Sequence, residues 1–312
     1  MSIGTALPRS SAGRRPRTLA VRQARAGWAF ASPAFVVIAA VTGFPLIFAV
    51  VMSVSNVKVG GGGFDFSGLT LDNFEIVFKS EKWRYALAFT TFYTVVTVLA
   101  ELVLGVLIAL VVERLGASRG WMLGLLLIPW SLITVISATL WRYVYAAGYG
   151  VASWALTLVG FDDPVILGNS TSAIAALMVA DVWKTTPFVA IIALAGLVSI
   201  PKELYEAAEV DGSSGWRTFW SITLPLIRSA LLTAVLFRVL QAFGLFDLPF
   251  VLTGGGPGSS TTSLAMLGYN TMFTNLRFGP GAAIAVSTAL IVTLGCLAFT
   301  RVFRAQVGSR EG

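Results

Sequence analysis

PKELYEAAEVDGSSGWRTFWSITLP, residues 201–225, is a polar island set between two long apolar segments. Pro201 stops the preceding apolar helix, because proline has no amide hydrogen to give to a helix interior. Residues 202–210 can form one short helix, with Leu204 and Ala208 on one side and Glu203, Glu206 and Glu209 on another. Asp211 and Gly212 then break it, since glycine takes the left-handed conformation that a helix end often needs. Ser213 or Ser214 can cap a second short helix carrying Trp216, Phe219 and Trp220. Ala207 and Ala208 are small enough to let another protein's surface approach the backbone. A connection between two apolar helices does not need this pattern for packing, so the stretch reads as a protruding handle.

Composition sets the surroundings of that handle. The chain has 312 residues, 56% of them hydrophobic and only 12% charged, with a mean hydropathy of +0.81. A soluble domain is excluded and a polytopic membrane protein is indicated. There is no histidine, which removes Ser-His-Asp and Cys-His catalysis and histidine-ligated metal sites. The single cysteine, Cys296, lies in an apolar run and allows no internal disulfide. No metal site is expected.

Six apolar windows, at about 28–52, 85–112, 121–145, 172–200, 229–251 and 278–300, are each long enough to cross roughly 30 Å of hydrocarbon. The first is too long for the apolar core of a cleaved signal peptide and is kept as a span, with Pro33 or Pro45 as sites for a bend. Residues 1–26 form a basic tail and 305–312 a short C-terminal one, around a membrane domain of 27–304. Residues 53–84 read as a mixed loop in which Gly60 to Gly63 make a flexible turn. With the N-terminus inside, fourteen basic residues fall on the cytoplasmic side and five outside, so both termini and the handle are expected in the cytoplasm. The same bias explains the basic tail without nucleic acid.

The handle resembles the cytoplasmic coupling loop of permeases from binding-protein-dependent ABC importers. The resemblance is carried by Glu206, Ala207, Ala208 and Gly212, followed by Ile222, Leu224 and Pro225; the usual alanine after the glycine is Ser213 here. It implies an all-α fold of six transmembrane helices with a coupling-helix loop, the type I importer permease fold, in a bacterial inner (plasma) membrane. Coupling to the ATPases would fall to Glu203, Leu204, Glu206, Ala207, Ala208, Asp211, Gly212 and Pro225. No G-x-x-x-x-G-K-[ST] run occurs, so ATP and magnesium would be held by partner ATPase subunits and not by this chain.

Charged residues inside the apolar windows are costly unless paired or hydrated. Glu101 and Arg238 lie near mid-depth and can pair between helices. Asp181 and Lys184, three apart, can pair with each other. Arg142 and Asp247 lie near the outer ends of their windows. Two readings stand for this set: structural pairing, or the lining of a substrate path.

Residues 241–258, QAFGLFDLPFVLTGGGPG, resemble the first permease subunit of the maltose-type carbohydrate group. Phe243, Phe246, Asp247 and Leu252 to Pro257 carry the likeness, with Trp183 to Pro187 in the fourth window. It implies a second homologous permease, two ATPase subunits and an extracytoplasmic solute-binding protein as partners, besides membrane lipid. A sugar path wants aromatic faces beside polar groups, which Trp183, Lys184, Gln241, Phe243 and Asp247 could supply. Packed or lipid-facing aromatics are the competing reading. An ion-gradient-driven secondary transporter and a membrane enzyme are the alternative functions. The halves show no internal similarity of the kind that would favour the former.

Overall fold

The computed structural model describes residues 17–60 and 63–308. Arg9, Arg14, Arg15, Gly61, Gly62 and Arg310, and with them most of the expected basic tail, lie outside the described residues. Residues up to Val51 form one unit and the rest another. In the first, α1 (Arg17–Ile38) runs through a wide π turn, Ala39–Gly43, into α2 (Phe44–Ser53). Pro45 cannot donate to the carbonyl four residues back, and the wide turn sits just before it. Pro33 is accommodated inside α1 without a break.

The second unit opens with an antiparallel hairpin, β1 (Ser55–Gly60) and β2 (Gly63–Leu69), where a mixed loop was expected. Its strands alternate, Lys58 facing Asp65 and Val57 facing Phe66 across the ladder. Asn73, at the start of α3 (Asp72–Lys79), donates to the carbonyls of Ser53 at 3.0 Å and Ser55 at 2.9 Å and ties the hairpin base down.

α4 (Glu81–Glu113) is the organising helix. Ala86, Thr90, Thr94, Thr97, Glu101 and Gly105 are buried at intervals of three or four, so one face of a membrane helix is turned into the bundle. That face meets α8 (Ser170–Val198) and α11 (Leu224–Phe243). A Cβ on Gly105 would lie 2.7 Å from Val189 Cγ1 and 3.0 Å from the Ala190 nitrogen, so the α4–α8 contact is backbone-close.

Between α4 and α8 lie α5 (Arg119–Ser131), α6 (Thr134–Val144) and α7 (Val151–Leu158). The third window, expected as one span over 121–145, is instead α5 and α6 meeting at 89°. Leu132 and Ile133 are extended there, and Ser131 Oγ donates back to the Ile128 carbonyl, closing α5 two residues after Pro129. Five helices among the described residues are long and apolar enough to cross a membrane, or six if the bent pair is one span.

After α8 come α9 (Lys202–Val210) and α10 (Gly215–Thr218), then a π turn, Phe219–Thr223, that leads into α11. The fifth window, expected to reach residue 251, is helical only to Phe243. Gly244 interrupts it, and α12 (Asp247–Leu252) is separate, with Pro249 in its first turn, where no amide donor is needed. The short α13 (Leu264–Tyr269), a π turn, Asn270–Thr274, and α14 (Phe278–Gly308) complete the chain.

The approach at Gly105 makes a stability prediction. Gly105→Leu should lower the thermal unfolding midpoint of the detergent-solubilised chain, through an overpacking cost of about 1–3 kcal/mol. Gly124→Leu, whose added atoms meet open space, should leave the midpoint unchanged or raise it.

Candidate functional site

The handle is a rigid, capped structure. Gly212 has φ +71°, its N–H donates to the Glu209 carbonyl at 3.0 Å, and the Ser213 N–H donates to the Ala208 carbonyl at 2.8 Å. These are the two bonds of a Schellman ending, which requires a left-handed residue at this position. Nothing lies within 4 Å of a Cβ placed on Gly212, so conformation and not space demands the glycine. Ser214 Oγ accepts from the Arg217 N–H at 3.4 Å and opens α10.

Glu203, Leu204, Glu206, Ala207 and Asp211 are exposed, and Pro225 is exposed at the second position of α11. Whereas Ala207 is open, Ala208 is only 8% exposed and is turned toward the chain's own packing. It follows Tyr205 by three residues on one helical face, and Tyr205 packs on the chain's own core with Val106, Leu194 and Ile227. Tyr205 Oη also lies 3.2 Å from Thr223 Oγ1, which fastens α9 to the turn preceding α11.

Deeper in the bundle, one guanidinium joins three helices. Arg238 of α11 donates through Nε to Glu101 Oε2 and through Nη2 to Glu101 Oε1 at 2.6 Å, a bidentate pairing with α4. The same Nη2 lies 3.0 Å from Asp181 Oδ2 on α8, and Nη1 donates to Gln241 Oε1 at 3.1 Å. Glu101 is fully buried, Arg238 2% exposed and Asp181 7% exposed. The Asp181–Lys184 pairing expected from spacing is not formed among the described residues; Asp181 turns to Arg238, whose planar fork reaches it from the neighbouring helix.

Thr185 completes this node and was missed from the sequence as part of it. Its Oγ1 is 2.6 Å from Glu101 Oε1 and 2.7 Å from the Asp181 carbonyl, one residue before another threonine, Thr186, whose hydroxyl donates to Val182. Both threonines immediately precede Pro187, and their hydroxyls bond the carbonyls four residues back, those of Asp181 and Val182.

The path candidates are scattered. Gln241 is exposed with its carbonyl oxygen held by Arg238, and Asp247 is exposed in the first turn of α12. Trp183 packs edge-to-face on Trp141, with centroids 5.5 Å apart, and Lys184 is half-buried. Phe243 is buried against Ala86 and Leu264 and lines an apolar cavity of about 430 Å³ with Leu240, Tyr269 and Phe273. The loop after α12 is braced by Thr261, whose Oγ1 lies 2.9 Å from the Gly256 carbonyl and 2.6 Å from Thr253 Oγ1.

Long apolar helices around a buried ionic node, with one capped polar handle, define a multi-pass membrane transport component. Residues 82–308 match the family described as "Binding-protein-dependent transport system inner membrane component", and the chain belongs to that family. It is therefore an ABC importer permease and not an enzyme. It is 41% identical over 234 residues to the trehalose/maltose transport system permease protein MalF of Thermococcus litoralis, covering 75% of this chain and 77% of that protein. It is 34% identical over 287 residues to the trehalose transport system permease protein SugA of Mycobacterium tuberculosis, covering 92% and 91%. Its fold is shared with a chain of a bacterial alginate ABC transporter solved in complex with an alginate pentasaccharide-bound periplasmic protein. The TM-score is 0.79 at 20% identity, over 91% of this chain and 96% of the other. Family membership sets aside the secondary-transporter and membrane-enzyme alternatives.

Removing one partner from a buried ionic group strands the others. Arg238→Met should therefore destabilise the detergent-solubilised chain by about 3–5 kcal/mol, because two buried carboxylates lose their shared cation. Adding Glu101→Gln and Asp181→Asn to that variant should recover part of the loss. Thermal unfolding of the single and triple variants checks both expectations.

Proposed function

We propose that this chain is the first-type permease subunit of a carbohydrate importer, carrying a disaccharide, oligosaccharide or glycerol-phosphate type solute. It would work with a second homologous permease, two ATPase subunits that hold ATP and magnesium, and an extracytoplasmic binding protein. Both termini and the handle would lie in the cytoplasm, as the excess of basic residues on that side favours. The solute class is supported by the disaccharide names of relatives 34–41% identical over most of the chain.

The single observation that carries the coupling role is the closed cap of α9. A handle that is to be pushed must not unwind, and the Schellman bonds at Gly212 fix its end while Glu203, Glu206 and Ala207 stay exposed for an ATPase surface. Its inner face is bonded and packed onto α8 and α11 through Tyr205, Ala208 and Phe219. Force applied to the exposed face would be delivered to the two helices that hold Asp181 and Arg238. Closing of the ATPases on ATP would thus move the bundle as a body between inward-open and outward-open forms. Trp183, Lys184, Gln241, Phe243 and Asp247 remain the candidates for contact with solute along the way.

Gly212→Val tests the coupling. A β-branched residue held left-handed costs about 1–2 kcal/mol, so the handle's end should fray. In the assembled complex we expect basal ATP hydrolysis to persist while binding-protein-dependent uptake falls by about tenfold, with Gly212→Asn much less affected because asparagine tolerates this conformation. Wild-type coupled uptake by Gly212→Val would overturn the assignment.

A further inference from the structure

We propose that a file of aromatic rings at the end of the bundle away from the handle is a carbohydrate-stacking track, over which the solute passes between the binding protein and the membrane-spanning path. The file starts on the hairpin and ends in α12. Phe64 of β2 meets Phe278 at the head of α14 with centroids 5.0 Å apart, and Phe278 meets Phe273 at 6.4 Å. Phe273 meets Tyr269 of α13 at 5.2 Å, Tyr269 meets Phe246 at 5.1 Å, and Phe246 stacks on Phe250 at 5.1 Å. Every step lies within the range in which rings attract one another. This inference rests on the carbohydrate reading above and adds to it Phe64, Tyr269, Phe273 and Phe278, to which neither the motif nor the buried charges pointed.

Three features fit a sugar and not lipid. First, four of the six rings are open, Phe64 being 44% exposed, Tyr269 38%, Phe273 56% and Phe250 43%, while Phe246 and Phe278 are half-buried. Second, Phe246 is followed by the exposed carboxylate of Asp247, which can bond a hydroxyl. A surface meeting hydrocarbon would not present an exposed carboxylate there, whereas a pyranose offers an apolar ring face bordered by hydroxyls. A lipid-interface belt, moreover, is built from tryptophan and tyrosine, whose polar tips reach water. Five of these six rings are phenylalanine.

The backbone holds the file in line. Tyr269 and Phe273 stand four apart across the π turn Asn270–Thr274, so both rings come to one side of that segment. Their inner side borders the 430 Å³ cavity, while Asn270 and Thr274 line a second cavity of about 940 Å³ together with Trp83 and Tyr85. Both volumes fall in the range of small-molecule sites. Stacking is tolerant of which hydroxyls a sugar carries. A series of equivalent rings lets the solute exchange one partner for the next without a deep well at any of them.

The test uses the complete complex in proteoliposomes, with uptake of labelled trehalose and maltose delivered by its binding protein. Tyr269→Leu with Phe273→Leu keeps the surface apolar and removes stacking; Tyr269→Phe with Phe273→Tyr keeps stacking. We expect the leucine pair to assemble and retain basal ATP hydrolysis but to lose about tenfold in uptake, and the aromatic pair to remain within about twofold of wild type. Equal uptake by the leucine pair would overturn the track. Loss of the second permease from the complex in the leucine pair would overturn it too, by making this face a subunit interface. If the wild-type complex takes up neither disaccharide nor any other carbohydrate, the carbohydrate reading fails and the track with it; uptake by wild type with unaffected leucine variants removes the track alone.

Discussion

A guanidinium buried between two carboxylates sets the terms for the membrane bundle. Removing these groups from water costs several kcal/mol for each ion, and only close geometry with every donor used offsets it. Arg238 comes close to that requirement: each of its three nitrogens has an acceptor, and four of its five N–H groups are taken by Glu101, Asp181 or Gln241. Since those acceptors stand on α4, α8 and α11 itself, none of the three helices can slide past the others without stranding a charge. Lys184, one turn on from Asp181 in α8, adds positive charge to a node that otherwise holds two acids and one base. An ion cluster of this kind is a poor way to gain stability. It is a good way to fix one relative placement of three helices.

The handle extends that fixed placement to the edge of the bundle. Near α9 the connection between α8 and α11 is made by close packing, Gly196 admitting Ala230 and Ile227 so tightly that a Cβ there would lie 3.0 Å from one and 3.3 Å from the other. Tyr205 and Thr223 add a hydrogen bond across the same corner. Handle, α8 and α11 thus form one stiff hairpin, with the ionic node partway along it. The bend between α5 and α6 lies outside this unit, its two arms resting on α8 through Trp130 on Phe188 and Trp141 on Trp183.

What the sequence disclosed follows the range of the interactions involved. The handle was legible because its cap, its break and its second cap rest on Gly212, Ser214 and their immediate neighbours. Glu101 and Arg238 were legible as a pair because an intramembrane charge demands a partner. Asp181 was assigned to Lys184 because i,i+3 spacing is visible in a sequence, and the approach of α11 to α8 is not. The break at Leu132 was hidden for a different reason: hydropathy averages across it, and Pro129 sits inside a helix that ends later. Ala208 faces inward because Tyr205 does, and only packing decides which face of a short amphipathic helix is the inner one.

The polar stripe of α4 marks the packed side of the bundle. Thr97 hydroxyl bonds the Tyr93 carbonyl, Thr90 accepts from the Leu264 amide, and Glu101 is closed in by Arg238 and Thr185. These groups have partners within the chain, whereas the buried hydroxyls of Tyr93 and Thr94 on the same helix have none among the described residues. The stripe faces α8, the most covered of the long helices, with 56% of its apolar window buried; α14 has 22% and the helix containing α11 28%. The uncovered sides of α11 and α14 flank the α12–α13 segment with its open aromatic rings and Asp247. Among the described residues the charged node therefore anchors the packed side of the bundle, where Glu101, Asp181 and Arg238 are buried.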